Sequence, residues 1–503
     1  MKHIVIIGGG ISGLAAAHRL IELSSDRKQQ IQITLLEASS RLGGTIQTES
    51  RDGFLLERGP DSFISEKPEA LSLARRLGID SELIETNSQH RRSFIVRNKR
   101  LRPVPEGFQL LAPSQIWPFL TTDIFSLAGK LRMSADLFLP RRSTNHNIDE
   151  PEDESLASFV RRRLGREALA RMAQPMVGGI YTADPEKLSL RATLPRFLEM
   201  EREHRSVILG MWRRGRSQTA TEQRGTSGAR YSLFLSFERG MQVLVEKLAE
   251  RIADCQLPNA DLRQPAQAHI RLNRRVEAIK HNAATNDQVP NWSVITDRDE
   301  SLTADAICVA IPAYCAASLL QRTNEQLAAR LRVINYASTA TINLAYRRAD
   351  IGLPLNGFGF VAPFIERRSL IACTFSSVKF ALRAPNDHVL LRAFVGGALQ
   401  PEMFALEEAE MVARVNADLR ELLKIKKEPL FAEVAKWQKS MPQYEVGHLD
   451  RVKAIEDQLR QLPTLTVAGN SYRGAGIPDC IRSGETAAEQ MIGSLTQSQQ
   501  SLR

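Results

Sequence analysis

Lys2–Leu20 reads KHIVIIGGGISGLAAAHRL, and this stretch decides the fold. Ile4-Val5-Ile6-Ile7 is an unbroken β-branched run, the pattern of a strand buried on both faces, and Gly8, Gly10 and Gly13 then supply G-x-G-x-x-G where the strand turns into a helix. Gly8 permits the tight turn, Gly10 lets backbone lie against a pyrophosphate, and Gly13 lets the new helix pack closely on the strand. The helix N-terminus offers N–H groups and a positive dipole end to phosphates. A polar stretch, Ser24–Gln30, reads as a loop. Ile31–Leu36 then forms a second strand ending at Glu37, whose carboxylate is suited to accept ribose hydroxyls. The βαβ unit predicts a bound dinucleotide.

The next segments select which dinucleotide. EASSRLGGTIQT (Glu37–Thr48) and GFLLERGPDSF (Gly53–Phe63) resemble the glycine-doublet and R-G-P segments of FAD-dependent amine oxidases. A flavin ring extends deep into a protein, and Gly43, Gly44, Gly59 and Pro60 permit close backbone approach to it. A nicotinamide dehydrogenase has no need of this second turn, so FAD is expected rather than NAD.

At 503 residues the chain is too long for one core and suggests two or three domains; 43% hydrophobic and 25% charged residues are ordinary for a globular protein. The N-terminal apolar run enters the nucleotide turn directly and lacks the length of a signal peptide, so a cytoplasmic location is expected. No stretch has the ~18 apolar residues of a membrane span. The nearest, Gly107–Thr122, is interrupted by Pro113 and Pro118 and suits either a membrane surface or an internal cavity. Cys255, Cys308, Cys315, Cys373 and Cys480 contain no C-x-x-C pair and read as buried thiols, and the nine histidines form no ligand-spaced cluster with them. No metal site is predicted.

The net charge of +10 concentrates in His90–Pro103 and Arg213–Arg230. The first run alternates apolar and charged residues and reads as a hairpin turning at Asn98-Lys99; the second reads as a flexible loop, as does Arg141–Glu154. Each basic run is either a solvated face or a wall for an anion. Leu156–Met172 has helical spacing, giving a helical insertion. Ile270–Ile279 reads as one strand, and two more lie within Ser293–Pro312. The fold is therefore α/β (α+β overall) and discontinuous. Near the C-terminus Leu465–Ala468 is a strand, Gly469–Gly476 a glycine-rich turn, and a helix starts just past Pro478. Its N-terminus is expected to face the flavin's pyrimidine ring.

GGGISGLAAA (Gly8–Ala17), ERGPDSF (Glu57–Phe63), LRPVP (Leu101–Pro105), ESLASFVRRRLG (Glu154–Gly165), GGIYTADPEKLSL (Gly178–Leu190), MPQYEVGHLD (Met441–Asp450) and GNSYRGAGIPDCI (Gly469–Ile481) span nearly the whole chain. Together they resemble the oxygen-dependent, FAD-containing protoporphyrinogen and coproporphyrinogen oxidases of haem biosynthesis. The resemblance implies a Rossmann-like FAD-binding domain of the amine-oxidase-like type, a mixed-sheet substrate domain and a helical insertion of membrane type. It divides the chain into FAD segments 1–87, 236–306 and 456–503, substrate segments 88–102, 176–235 and 307–455, and a helical segment 103–175. Implied non-covalent FAD contacts are Gly8, Gly9, Gly10, Ile11, Ser12, Gly13, Glu37, Arg41, Gly43, Gly44, Thr45, Gly59, Pro60, Asp61, Ser62, Val276, Trp437, Asn470, Ala475, Gly476 and Ile477. Implied substrate contacts are Arg92, with Arg97 in reserve, and Gly179 and Phe358 lining the ring pocket.

The implied reaction removes six electrons from a porphyrinogen, a dehydrogenation at CH–CH groups with hydride passing to flavin, dioxygen as acceptor and hydrogen peroxide released. The pyrroles stabilise the developing cation, so no catalytic acid or base is named. The C-terminal GAGIPDCI resembles bacterial enzymes of the coproporphyrin route, and a tetra-anion suits the basic hairpin, so coproporphyrinogen III is expected ahead of protoporphyrinogen IX. An amine or carotenoid oxidoreductase and a non-enzymatic binding protein are the other readings. Expected partners are the anionic porphyrinogen and dioxygen and not nucleic acid, with a homodimer and peripheral contact on the inner face of the membrane left open.

Overall fold

In the computed structural model, residues 1–27, 29–141, 153–217, 234–256, 266–282 and 291–500 are described. A five-stranded parallel sheet runs in the order Ala266–Arg271, Ile31–Leu36, Lys2–Ile7, Ala306–Val309, Leu465–Val467. Ile4 and Ile6 pack into the core on one face and Val5 and Ile7 into the core on the other, which is why that strand has no polar alternation. The first helix, Ile11–Arg27, lies along the last, Ile477–Gln500. A β-carbon on Gly484 would stand 2.1 Å from the Ser12 carbonyl oxygen, so the two ends of the chain meet through a glycine contact.

Three sequence expectations change here. The first helix continues through Ser24 to Arg27, where a loop was expected; Ser24 is buried and its hydroxyl donates to the Gln29 carbonyl, closing the helix end. Ile270–Ile279 is two strands, because Asn273 takes a left-handed conformation (φ 52°) and the N–H groups of Asn273 and Arg274 bond the Ser39 and Glu37 carbonyls at 3.0 and 2.9 Å. Val276–Asn282 starts a separate antiparallel sheet with Asn291–Thr296 and Ser301–Ala304. The expected boundary after residue 306 falls inside the strand Ala306–Val309, which pairs with Lys2–Ile7.

A seven-stranded mixed sheet forms the second layer, ordered Phe431–Pro442, Tyr336–Arg347, His388–Gly396, Ala372–Phe375, Gly359–Val361, Phe94–Arg97, Arg100–Pro103. The last two are the hairpin expected from the basic run, and Asn98 and Lys99 both have positive φ (49° and 63°), as a two-residue turn of the I′ kind requires. One sheet face, with Ile342, Leu344, Phe360 and Val395, packs on the helix Glu408–Leu423. The other, with Thr341, Asn343 and Arg392, faces the dinucleotide layer.

The helical insertion packs together with the helices of residues 176–217, which the sequence reading assigns to the substrate domain, around one core that includes Phe159, Met172, Phe197 and Met211. Its helices are short, and no helix of the described residues is long and apolar enough to cross a membrane. Ile116, Trp117, Leu120, Leu127, Leu131 and Phe138 are nevertheless exposed on the insertion, Trp117 by 75% and Phe138 by 80%. Helix Val207–Ser217 takes in the start of the expected loop at Arg213, while residues 218–230 and 142–152 of the two expected loops lie outside the described residues. Cys308, Cys373 and Cys480 are buried, whereas Cys255 and Cys315 are half-buried, and the described residues contain no metal-ligating cluster.

Candidate functional site

The first glycine turn is held open by its neighbours. Gly8 (φ 110°) lies so near the Ala310 carbonyl that a β-carbon would stand 2.4 Å from its oxygen, and a β-carbon on Gly13 would stand 1.9 Å from the Gly8 carbonyl oxygen. Gly10 is different: its β-carbon would project into space with no atom within 4 Å, a cradle at the helix N-terminus. Glu37 braces the turn, accepting the Gly9 N–H at 2.6 Å and the Ser39 N–H and hydroxyl at 2.8 Å each. The glycine doublet folds back on it. Gly43 bridges Gly10, and Arg41 shapes the doublet by donating to the carbonyls of Leu42, Gly44 and Ile46. The Arg274–Glu37 backbone bond brings the start of the Val276 strand beside this carboxylate.

From the doublet the close approaches continue toward the seven-stranded sheet. A β-carbon on Gly59 would stand 1.7 Å from the Thr45 carbonyl oxygen, so only glycine fits. Residues Glu57 to Asp61 form a strap whose carbonyls are held by side chains from outside it. Asn343 donates to Glu57 (3.1 Å), Thr341 and Trp437 to Arg58 (2.6 and 2.8 Å), Arg392 to Gly59, and Ser236 to Asp61 (2.7 Å). The Asp61 carboxylate accepts from Lys379 Nζ at 3.0 and 3.1 Å and from the Ser62 hydroxyl at 2.8 Å. The Lys379 and Arg392 cations hold its pKa far below the ordinary carboxylate range against the opposing effect of burial. Burial pushes the Glu57 carboxyl the other way, up to about 7.

The second glycine turn is gripped by a stretch whose role sequence reading left undefined. The Tyr444 hydroxyl donates to the Asn470 carbonyl (2.6 Å) and accepts the Gly474 N–H (2.9 Å). Its ring stacks on His448 with centroids 4.1 Å apart, and His448 Nε2–H donates to the Tyr472 carbonyl at 2.7 Å. Burial lowers the His448 pKa to about 4, which keeps the ring neutral. The stretch Gly178–Leu190 braces the same region: Ser189 N–H bonds the Tyr444 carbonyl, Val446 N–H bonds that of Lys187, and Asp153 accepts from Ser189 Oγ and Gly447 N–H. A cavity of about 390 Å³ opens between them, lined by Asp184, Lys187, Tyr336, Ser338, Gln443 and Tyr444 among others. Asn470 Nδ2 reaches the Ser440 carbonyl on the Trp437 strand at 3.3 Å, and Ala475 and Gly476 lead into the last helix at Ile477.

Among the four expected substrate residues, Arg92 is exposed and Phe358 is buried. The Phe358 N–H donates to the Arg92 carbonyl at 2.8 Å, and Gly179 approaches Val361 on the strand that Phe358 leads into. Arg97 instead lies at the hairpin tip beside Asn98, whose N–H bonds Glu366. The signal for Tyr444 and His448 was MPQYEVGHLD itself; nothing in the sequence pointed to Lys379 and Arg392.

The family of flavin containing amine oxidoreductases matches residues 11–492. The coproporphyrinogen III oxidase of Bacillus subtilis is 34% identical, covering 98% of each chain. The mitochondrial protoporphyrinogen oxidase of Nicotiana tabacum is 27% identical over 98% of this chain and 95% of its own. A crystal structure of a putative protoporphyrinogen oxidase from Exiguobacterium sp. 255-15 superposes with a TM-score of 0.80 at 30% identity, covering 97% of this chain and 98% of the other. The chain belongs to the flavin-containing amine oxidoreductases and, within them, to the porphyrinogen oxidase family.

Proposed function

We propose that this chain is an FAD-dependent, oxygen-dependent coproporphyrinogen III oxidase. The observation that carries the reading is the convergence of two glycine turns from opposite chain ends beneath a substrate sheet, in a polypeptide that aligns end to end with a coproporphyrinogen III oxidase. The residues fit FAD. Gly10 and Gly469 both face space that a β-carbon would enter, and the close contacts Gly10–Gly44 and Thr45–Gly59 lead from the expected pyrophosphate site toward the sheet, the course of an extended flavin dinucleotide. FAD supplies hydride acceptance from a meso carbon and reoxidation by dioxygen to hydrogen peroxide, repeated three times for six electrons.

The chain's own part is placement. The Glu57–Asp61 strap and the Tyr444–His448 grip fix the two sides of the ring site, Arg92 pairs with a propionate, and Gly179 and Phe358 wall the macrocycle. Greater identity to a coproporphyrinogen oxidase (34%) than to a plant protoporphyrinogen oxidase (27%) favours the four-propionate substrate. Anaerobic mixing with each porphyrinogen tests the reading. Coproporphyrinogen is expected to bleach the flavin band and raise porphyrin fluorescence; no bleaching with either substrate refutes it.

The domain division follows the same reading, with the helices of residues 176–217 joined to the helical segment and the third substrate segment starting beyond the strand Ala306–Val309. Peripheral lipid contact by the helical layer is part of it. Lys130 Nζ on the Leu120 carbonyl ties two short helices together, so Trp117, Leu120, Leu127 and Leu131 cluster beside a cation. Co-sedimentation with anionic vesicles, lost in Trp117→Ala with Leu131→Ala, supports peripheral membrane contact through this patch. A concentration-dependent dimer lost in the same variant assigns the patch to a second copy.

A further inference from the structure

Lys379, Arg392 and Arg383 surround one ionised carboxylate, Asp61, and one carboxyl, Glu57, whose pKa lies near neutrality. Arg392 is 3% exposed, its Nη1 stands 3.5 Å from Asp61, its guanidinium covers the Phe394 ring at 4.7 Å, and its Nε and Nη1 have no hydrogen-bond partner among the described residues. Positive charge is therefore in surplus inside the protein, where Coulomb interactions are weakly screened. The surplus sits on the strap that continues the Gly10–Gly44–Thr45–Gly59 line of close approaches.

We propose that the Lys379–Asp61–Arg392 cluster is the electrostatic positioning element of the flavin: it stabilises the cofactor after hydride uptake and thereby sets its reduction potential and its affinity for sulfite. This rests on the proposed flavin course along the strap. The charge balance is fixed: the meso carbon gives up a hydrogen with both bonding electrons, so the substrate gains one positive charge and the cofactor one negative. The substrate cation then loses a proton, and dioxygen takes the two electrons with the cofactor's hydrogen as one proton and a second proton equivalent to the one the substrate released, becoming hydrogen peroxide, which returns the cofactor to its starting charge. A fixed buried cation favours the state carrying the extra negative charge.

Sulfite adds reversibly to oxidised flavin to give an anionic product, so its affinity reads the same charge without any turnover. In the holoenzyme, Lys379→Met and Arg392→Met are expected to weaken sulfite binding at least tenfold and to lower the flavin potential correspondingly, about 30 mV per decade for a two-electron couple. Asp61→Asn, which removes the negative member, is expected to shift both in the opposite direction, and Lys379→Arg to keep wild-type values. Sulfite affinity unchanged in both methionine variants, with KM for coproporphyrinogen raised, overturns the proposal and gives the cluster to the substrate. A shift in Asp61→Asn of the same sign as in Lys379→Met also overturns it, because only packing loss acts that way, and this variant decides the matter if the methionine variants lose FAD. Wild-type protein that binds sulfite yet is not bleached by either porphyrinogen separates failure of the substrate reading from failure of this one.

Discussion

Replacing Tyr444 with phenylalanine removes one oxygen from a buried position where it serves two backbone groups of the second glycine turn, the Asn470 carbonyl and the Gly474 N–H. The ring and its stacking on His448 remain. Each bond is worth about 1 kcal/mol net, more where the abandoned partner stays dry, so the loss is about 2–3 kcal/mol. If the turn is ordered around the cofactor, this appears as a roughly 30- to 150-fold rise in the FAD dissociation constant. The assay is release of FAD on dilution, followed by its recovered fluorescence, beside thermal unfolding of the holoenzyme. Tyr472→Phe is the internal control. Its hydroxyl is buried and has no hydrogen-bond partner among the described residues, so its removal should be neutral or stabilising. A Tyr444→Phe enzyme with wild-type FAD affinity and wild-type melting, or one indistinguishable from Tyr472→Phe, refutes the view that the turn hangs on that oxygen.

Three further outcomes are expected. Gly59→Ala forces the strap off the Thr45 carbonyl, 1.7 Å from the added carbon; this is a backbone clash costing about 3 kcal/mol or more, and the protein should purify without yellow colour. For Glu57 the sign is that of a raised carboxyl: the folded state holds its proton up to about 7 while the unfolded chain releases it near 4.5, so stability falls as pH rises between those values. Glu57→Gln should remove about 3 kcal/mol of that decline, read as the difference in denaturant midpoints between about pH 5 and about pH 8 in wild type and variant. Arg92→Met should raise KM for coproporphyrinogen about tenfold with an unchanged flavin spectrum, while Arg97→Met, at the hairpin tip, should leave it near wild type.

The sequence displayed the parts of the fold whose causes are local. A both-faces-buried strand, glycines where backbones touch, and an Asn-Lys turn in positive φ are each written within a few residues. What failed to show was set by contacts from afar. The break at Asn273 is made by the carbonyls of Ser39 and Glu37, and apolar alternation carries no trace of it. The helix running on through Ser24 is polar by composition but capped inward by its own hydroxyl. The site divides in the same way. The strap sequence RGPDS was visible, yet its cations arrive from Lys379 and Arg392, and the grip on the second turn needs Tyr444 and His448 to be brought against Asn470–Gly474 by the fold.

Charge is where linear reading misleads most. The runs that give the chain its +10 read in the sequence either as a solvated face or as a wall for an anion. In the structure several of those cations are answered by acids from other segments: Arg91 by Glu85 (3.6 Å), Lys99 by Glu421 (3.1 Å) and Arg102 by Asp123 (2.8 Å). Such pairs near the surface leave little field beyond a Debye length. The cations placed to act on a reaction are Lys379 and Arg392, in stretches of ordinary composition, because burial removes the water that would screen them and Asp61 balances only one of the two. Electrostatic function in this fold therefore follows the count of buried partners and not the count of basic residues, and a variant that removes hairpin cations other than Arg92 should alter salt dependence far more than it alters the flavin.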